Sequence, residues 1–268
     1  MWIRLRQIAL VAHDLRRAGL DIASVLGVEP CFTDPGVGVF GLKNTLWPVG
    51  GQFLEVVTPT QSGTAAGRYL DRRNGDGGYM VITQVDDVDR RRQRAAELGV
   101  RIAFTIDDPD HGHDGIQLHP ADTGGAFFEM DQMVDGAPGA SGPGGDDGDW
   151  RWSHWAPAGR HWQPFVRTDV VSAITAAELQ SPDPEALARR WADIAELDLE
   201  YDGDENPVIQ LDNASLRFVP DNDGRGEGLG GIDVAVVDRD AVLRGARSRG
   251  LDHTDQMVMV AGIRVYLR

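Results

Sequence analysis

Tyr79-Met-Val-Ile-Thr-Gln-Val-Asp-Asp-Val-Asp-Arg-Arg-Arg-Gln-Arg-Ala-Ala-Glu-Leu-Gly99 holds the plan of the whole chain. Tyr79–Val85 is rich in β-branched and apolar residues and predicts a strand. Asp87 can accept hydrogen bonds from the free N–H groups of a first helical turn, so a helix opens there. It runs to Leu98, and Gly99 stands where a helix end needs a left-handed residue. Strands are expected next at Arg101–Thr105, Gly115–His119 and Ala126–Asp131. The unit is strand-helix-strand-strand-strand.

The same order precedes it. Ile8–Val11 reads as a strand, and Asp14 opens a helix to Leu26 whose Leu15, Ala18, Ile22 and Leu26 recur at helical spacing. Strands are expected at Pro30–Thr33, Val37–Trp47 and Gln52–Thr58, then a short helix at Thr64–Arg73. Two further, shorter units follow. Ile174–Gln180, a helix from Asp183 to about Leu197, Val208–Leu211 and Ser215–Val219 form the third. Ile232–Val237, a helix at Asp240–Arg249, Met257–Val260 and Ile263–Leu267 form the fourth. A unit repeated in this way is the basis for reading the architecture.

Between the second and third units the run Gly136-Ala-Pro-Gly-Ala-Ser-Gly-Pro-Gly-Gly-Asp-Asp-Gly-Asp149 favours no regular element and reads as a linker. It continues into Trp150, Trp152, Trp155 and Trp162, with His154 and His161. Large indoles are costly to expose, so this part should pack back onto a domain. Packing between domains and the lid or wall of a ligand pocket are both open to it. The expected division is residues 1–133, a linker at 134–165, and residues 166–268.

The bulk figures narrow the function. The chain has 268 residues, 41% of them hydrophobic, and a formal net charge of −16. Such an acidic surface repels phosphate backbones and anionic lipid, so neither nucleic acid nor membrane is an expected partner. Charged residues interrupt the N-terminus, and no stretch reaches the roughly 18 apolar residues of a membrane span. Cys31 is the lone cysteine, which fits a reducing compartment, and a cytoplasmic location is expected. No P-loop, nucleophile elbow, dinucleotide fingerprint or zinc-finger spacing is present.

Four such units, paired two by two, resemble the vicinal-oxygen-chelate (glyoxalase/bleomycin resistance/dioxygenase) superfamily. Phe53-Leu-Glu-Val-Val-Thr-Pro59 resembles its fourth strand. Leu118-His-Pro-Ala-Asp-Thr-Gly-Gly-Ala-Phe-Phe-Glu129 resembles the end of methylmalonyl-CoA epimerase and 4-hydroxyphenylpyruvate dioxygenase domains. The resemblance implies an α+β fold of two domains, each a pair of βαβββ modules curled into a half-open barrel. It places metal ligands on the first and fourth strands of each module. Those positions are Gln7 and Glu55 in the first module, and Met80 and Glu129 in the second, where Met80 replaces the usual His.

Gln7, Glu55 and Glu129 would therefore hold a divalent ion (Zn, Mn, Mg, Ni or Fe), or else form a residual polar patch in a metal-free pocket. A thioether at Met80 is a soft, weak ligand for such ions. Glu129, Glu55 and His119 are the candidate catalytic groups, with His119 alternatively closing a turn before Pro120. Tyr79, Met80 and Gln117 are candidate substrate contacts, Tyr79 only if the strand register slips by one. His111 and His113 read as a solvated loop, and Arg90, Arg91, Arg92 and Arg94 as a solvent-exposed helix face. In the second half the matching positions are Ala176, about Leu216, Asp233 and Arg264 or Tyr266. They hold no metal set, so that half is expected to be a degenerate partner.

Two functions follow from the resemblance. One is a metal-dependent lyase, isomerase or epimerase acting through an enolate on a small molecule with vicinal oxygens. The other is metal-free sequestration of a small molecule, as in bleomycin-resistance proteins. A dioxygenase would need two His and a carboxylate, a triad not visible here. A monomer or homodimer is expected.

Overall fold

Four aspartates start the four principal helices in the same way. In the computed structural model, which describes residues 1–134 and 149–268, the side chain of each accepts from the N–H three residues on. Asp14 accepts from Arg17, Asp87 from Arg90, Asp183 from Ala186 and Asp238 from Ala241, all at 2.9–3.0 Å. These caps open α1 (Leu15–Leu26), α3 (Val88–Glu97), α4 (Pro184–Ala195) and α5 (Arg239–Arg249). The short α2 (Ala65–Arg73) is capped by Thr64.

Each helix follows a strand that is buried along nearly its whole length: β1 (Ile3–Val11), β4 (Gly77–Val85), β8 (Val171–Ser181) and β12 (Gly228–Val236). Burial on both faces explains why these segments read as apolar runs rather than clean alternations. The first sheet adds β2 (Leu42–Val49), β3 (Gln52–Pro59), β5 (Ile102–Asp108), β6 (His113–Leu118) and β7 (Phe127–Met133), in the order β2-β3-β1-β4-β7-β6-β5. β1 and β4 run antiparallel at its centre, and each has a parallel outer neighbour, β3 and β7. The second sheet repeats the scheme with β9 (Leu199–Tyr201), β10 (Pro207–Gln210), β11 (Ser215–Pro220), β13 (Met257–Val260) and β14 (Ile263–Leu267), in the order β13-β14-β12-β8-β11-β10-β9. This is the α+β architecture of two vicinal-oxygen-chelate domains with open sheets.

Three expectations change in detail. The strand at Pro30–Thr33 shrinks to one bridge, Phe32 to Leu46, because Pro30 and Pro35 bracket it. The strand expected from Val37 begins only at Leu42, since Pro35–Phe40 forms a 3-10 turn capped by Asp34. The arginine face of α3 is not solvent-facing throughout. Arg91 is buried and donates to the Ala195 carbonyl at 2.8 Å, and Arg90 and Arg91 both meet Glu196 after α4.

That seam joins the two halves. α3 lies against α4, and α1 against α5, where Asp21 meets Arg249 at 2.6 Å. Between them Phe128 of β7 stacks on Trp191 of α4 at 4.2 Å, and the Trp191 indole donates to the Thr123 carbonyl at 3.0 Å. The helix-facing sides of both sheets thus share one continuous apolar core. The opposite side of the first sheet carries a separate buried apolar group, a hollow filled by Trp155 and Trp162, that includes Ala9, Val11, Phe53, Met80 and Ile82.

Candidate active site

Two β-bulges in the β1–β4 ladder set the hollow. Leu5 pairs with Thr83 and Gln7 with Ile82, so Arg6 is an extra residue on β1. Ala9 pairs with Met80 and Leu10 with Gly78, so Tyr79 is an extra residue on β4. A bulge re-aims the side chains around it. The register slip that Tyr79 required is therefore present, and both Tyr79 and Met80 join the apolar group of the hollow. Tyr79 packs edge-on against Tyr69 and Phe127, with centroids 5.2 and 5.1 Å away.

Gln7 and Glu55 meet directly. Gln7 Nε2 donates to Glu55 Oε2 at 2.8 Å, and Asn44 Nδ2 donates to Glu55 Oε1 at 2.6 Å. Asn44 is itself oriented by the Asp34 N–H, which donates to its Oδ1 at 2.8 Å. All three side chains are buried. Burial pushes the Glu55 carboxyl up to about 7, against the opposing pull of the two amide donors.

Glu129 and Asp131 project two residues apart from the same face of β7 and are both buried. Gly115 on β6 makes room for them, since a Cβ there would lie 2.2 Å from Asp131 Oδ1. His113, at the start of β6, brings Nε2 to 3.2 Å from Asp131 Oδ2. Burial, then the charge of Asp131, hold the Glu129 carboxyl well above its ordinary value, and the charge of Glu55 adds to this. Burial pushes Asp131 up to about 8, and it lowers His113, leaving that imidazole neutral at pH 7. Glu129 Oε2 and His113 Nε2 are buried with no hydrogen-bond partner.

The segment from Trp150 to Phe165 closes this hollow. Trp155 and Trp162 are fully buried in it, and Trp162 meets Phe53 edge-on at 5.0 Å. The Trp155 indole N–H donates to Gln7 Oε1 at 2.9 Å, and its ring lies 6.4 Å from that of His113. Of the two roles open to the tryptophans, contact with the hollow is the one seen for Trp155 and Trp162. The Gly-rich run at 135–148 lies outside the described residues.

The remaining expected residues fall as follows. Gln117 sits opposite Glu129 in the β6–β7 ladder, half-buried. His119 lies beyond the end of β6 in a turn, where Nδ1 accepts from the Ala121 N–H at 3.1 Å, so it is not the imidazole that meets the carboxyls. That imidazole is His113, which sequence reasoning had left in a solvated loop. Asn44, Asp131 and Arg6 were also missed. The pair Glu129 and Asp131 on alternate positions of one strand was the available signal.

The family's metal set does not fit as these residues stand. The Gln7 oxygen is taken by the Trp155 N–H, and its amino group faces Glu55. Both Glu55 oxygens accept from amides. Among the described residues no three His, Cys, Asp or Glu side chains converge as a cation site. In the second domain Asp233 is tied to Arg217 at 2.5 Å and Arg268 at 2.8 Å, and Glu178 to Arg217 and Arg264. Ion pairs occupy that face. Among the described residues no helix is long and apolar enough to cross a membrane.

This fold and this site define a glyoxalase-like protein, and residues 8–195 match the family described as the glyoxalase-like domain, so the chain belongs to it. Among characterised relatives it is similar to the ethylmalonyl-CoA/methylmalonyl-CoA epimerase of Cereibacter sphaeroides, 27% identical over 138 residues, which cover 48% of this chain and 98% of that protein. Among solved structures it resembles the Mn(II)-bound glyoxalase from Novosphingobium aromaticivorans, with a TM-score of 0.63, 15% identity and 98% and 80% of the two chains covered. A mutant of 4-hydroxymandelate synthase from Streptomyces coelicolor aligns with a TM-score of 0.65 and 16% identity, over 94% and 75% of the chains. These two likenesses concern the fold.

Proposed function

We propose that this protein is an isomerase or epimerase that moves a proton at a carbon next to a carbonyl, with Glu55 and Glu129 as its acid–base pair. The observation that carries this reading is the pairing of two buried carboxyls in one hollow. Burial pushes Glu55 up to about 7, and Glu129 is raised well above its ordinary value. Acid–base catalysis works best with groups poised near the working pH, and environments that push two pKa values apart assign base and acid.

At neutral pH Glu55 is partly carboxylate, held in place by Gln7 and Asn44, and takes the α-proton. The electron pair moves onto the carbonyl oxygen, towards which the protonated Glu129 donates a hydrogen bond. Return of a proton from Glu129 or its neighbour Asp131 to carbon, on the other face, completes an epimerisation. Burial keeps the proton on this acid pair. A small molecule is the partner, and it must displace Trp155 to reach Glu55. We take residues 1–133 as the catalytic domain, residues 134–165 as its connecting segment and residues 166–268 as the degenerate partner. The epimerase relative supports the reaction class. The divalent ion expected on Gln7, Glu55 and Glu129 has no step in this scheme, because Gln7 and Glu55 are hydrogen-bonded to each other and Gln7 also to Trp155.

The test is isotope exchange. The protein is incubated in D2O with a 2-methylmalonyl thioester and with a hydroxyketone, and deuterium at the α-carbon is read by mass spectrometry. Catalysed exchange is expected, falling about 10²–10⁴-fold in Glu129→Gln and in Glu55→Gln. Full exchange in both variants would contradict the reading. A second reading, metal-free sequestration, is favoured by one observation: Trp155, Trp162, Phe53 and Met80 form an aromatic and thioether lining. A tight ligand with no exchange would select it.

A further inference from the structure

Arg6 is fully buried, yet among the described residues no carboxylate pairs with it. Other buried arginines differ. Arg91 meets Glu196, and Arg217 meets Glu178 and Asp233. Arg73 is also held by carbonyls, but three of one turn, those of Arg225, Gly226 and Glu227, converge on its Nη1 alone. On Arg6 the pattern is a fork. Nη1 donates to Trp150 O at 2.9 Å and Nη2 to Ser153 O at 3.3 Å, while Gly51 O, in the turn between β2 and β3, also takes Nη1 at 2.8 Å.

Two oxygens, one on each terminal nitrogen, reproduce the way a guanidinium grips a carboxylate. Both come from the Trp150–Phe165 strap that fills the hollow. The same strap puts the Trp155 N–H on Gln7 and the Trp155 ring 5.1 Å from the Arg6 carbon centre. Phe53, another wall of the hollow, lies 5.8 Å from that centre. Arg4 adds a second positive charge nearby, its guanidinium 5.3 Å from the Trp150 ring. Burial lowers Arg6 only to about 9, so it stays charged at pH 7. A buried charge met only by neutral dipoles is costly, and a carboxylate would compensate it better.

We propose that Arg6 is the seat of a substrate carboxylate, and that the strap carbonyls of Trp150 and Ser153 hold this seat until the substrate displaces them. The proposal rests on the hollow being the substrate site, and it narrows the substrate class to small carboxylates.

Malonate is the probe, titrated at constant ionic strength with calorimetry and tryptophan fluorescence, alongside dimethyl malonate and inorganic phosphate. Wild-type protein should bind malonate saturably, with a fluorescence change as the indoles leave the hollow, and should ignore the diester. Arg6→Met should weaken malonate at least about 10-fold, the loss of a charge-assisted fork. Trp155→Phe, which loosens the strap but keeps Arg6, should bind malonate several-fold tighter. Equal affinity in Arg6→Met, equal binding of the diester, tighter binding of phosphate, or no saturable malonate binding would each overturn the proposal. If circular dichroism shows Arg6→Met unfolded, Trp155→Phe decides alone, and an unchanged or weaker affinity there overturns it. The proton-transfer reading fails separately: absence of isotope exchange, with malonate binding that follows Arg6, would sink that reading and leave this one standing.

Discussion

The indole N–H of Trp155 donates to the side-chain oxygen of Gln7 at 2.9 Å, in a hollow where both residues are buried. One bond thereby ties the connecting segment to β1 of the first sheet. It also consumes the oxygen that the family would turn towards an ion. Strap, site and metal fit are linked through this contact.

Trp155→Phe removes the donor and leaves a buried amide oxygen unpaired. The expected cost is about 1–3 kcal/mol, read as a lower urea midpoint at unchanged m-value. A loss below about 0.5 kcal/mol would show that the strap is not held by this bond.

Stability should fall as pH rises. The unfolded chain releases the Glu55 and Asp131 protons near 4.5 and 3.8, but the folded chain releases them at about 7 and about 8. A carboxyl raised on folding stabilises fully below its unfolded value, and that contribution is lost as pH climbs through the folded one. The urea midpoint should therefore drop between about pH 5 and about pH 9, and less so in Glu55→Gln/Asp131→Asn. A midpoint that rises over this range would be the opposite result.

The order of strands and helices was readable from the four Asp-led helices, because a capping side chain acts on its own neighbours and needs no tertiary information. Glu55 and Glu129 were reached through the resemblance, as the residues at its fourth-strand ligand positions. Arg6 was not. Counting alternate residues assumes an unbroken ladder, and Arg6 sits in a bulge that depends on the partner strand, as does Tyr79, which was reached only by allowing a slipped register. His113 was hidden for another reason. The polar stretch Asp107–Asp114 reads as loop, whereas β5 and β6 extend through it to pair Asp108 with His113. The tryptophans signalled burial, but only the fold shows that Trp155 and Trp162 enter the first hollow.

Gly115→Ala should be destabilising by about 1–3 kcal/mol, because the added Cβ meets the Asp131 carboxyl. Combining it with Asp131→Ala should recover much of that cost in a double-mutant cycle by urea unfolding. Strict additivity would mean that the two side chains do not compete for space.

Purified protein from medium supplemented with Mn, Zn and Ni should carry well below one ion per chain by elemental analysis, and added Mn2+ should leave the tryptophan fluorescence unchanged. Stoichiometric metal that disappears in Glu129→Ala would show that Gln7, Glu55 and Glu129 rearrange into a cation site.

The side-chain carboxyl carbons of Glu55, Asp131 and Glu129, followed by 13C NMR through a pH titration with single-residue variants for assignment, report most directly on the acid pair. Midpoints of about 7 for Glu55 and about 8 for Asp131, with Glu129 shifted well above the usual glutamate range, are the predicted result. Ordinary midpoints near 4 for all three would contradict it, since solvated carboxylates could not serve as the buried acid and base assigned here.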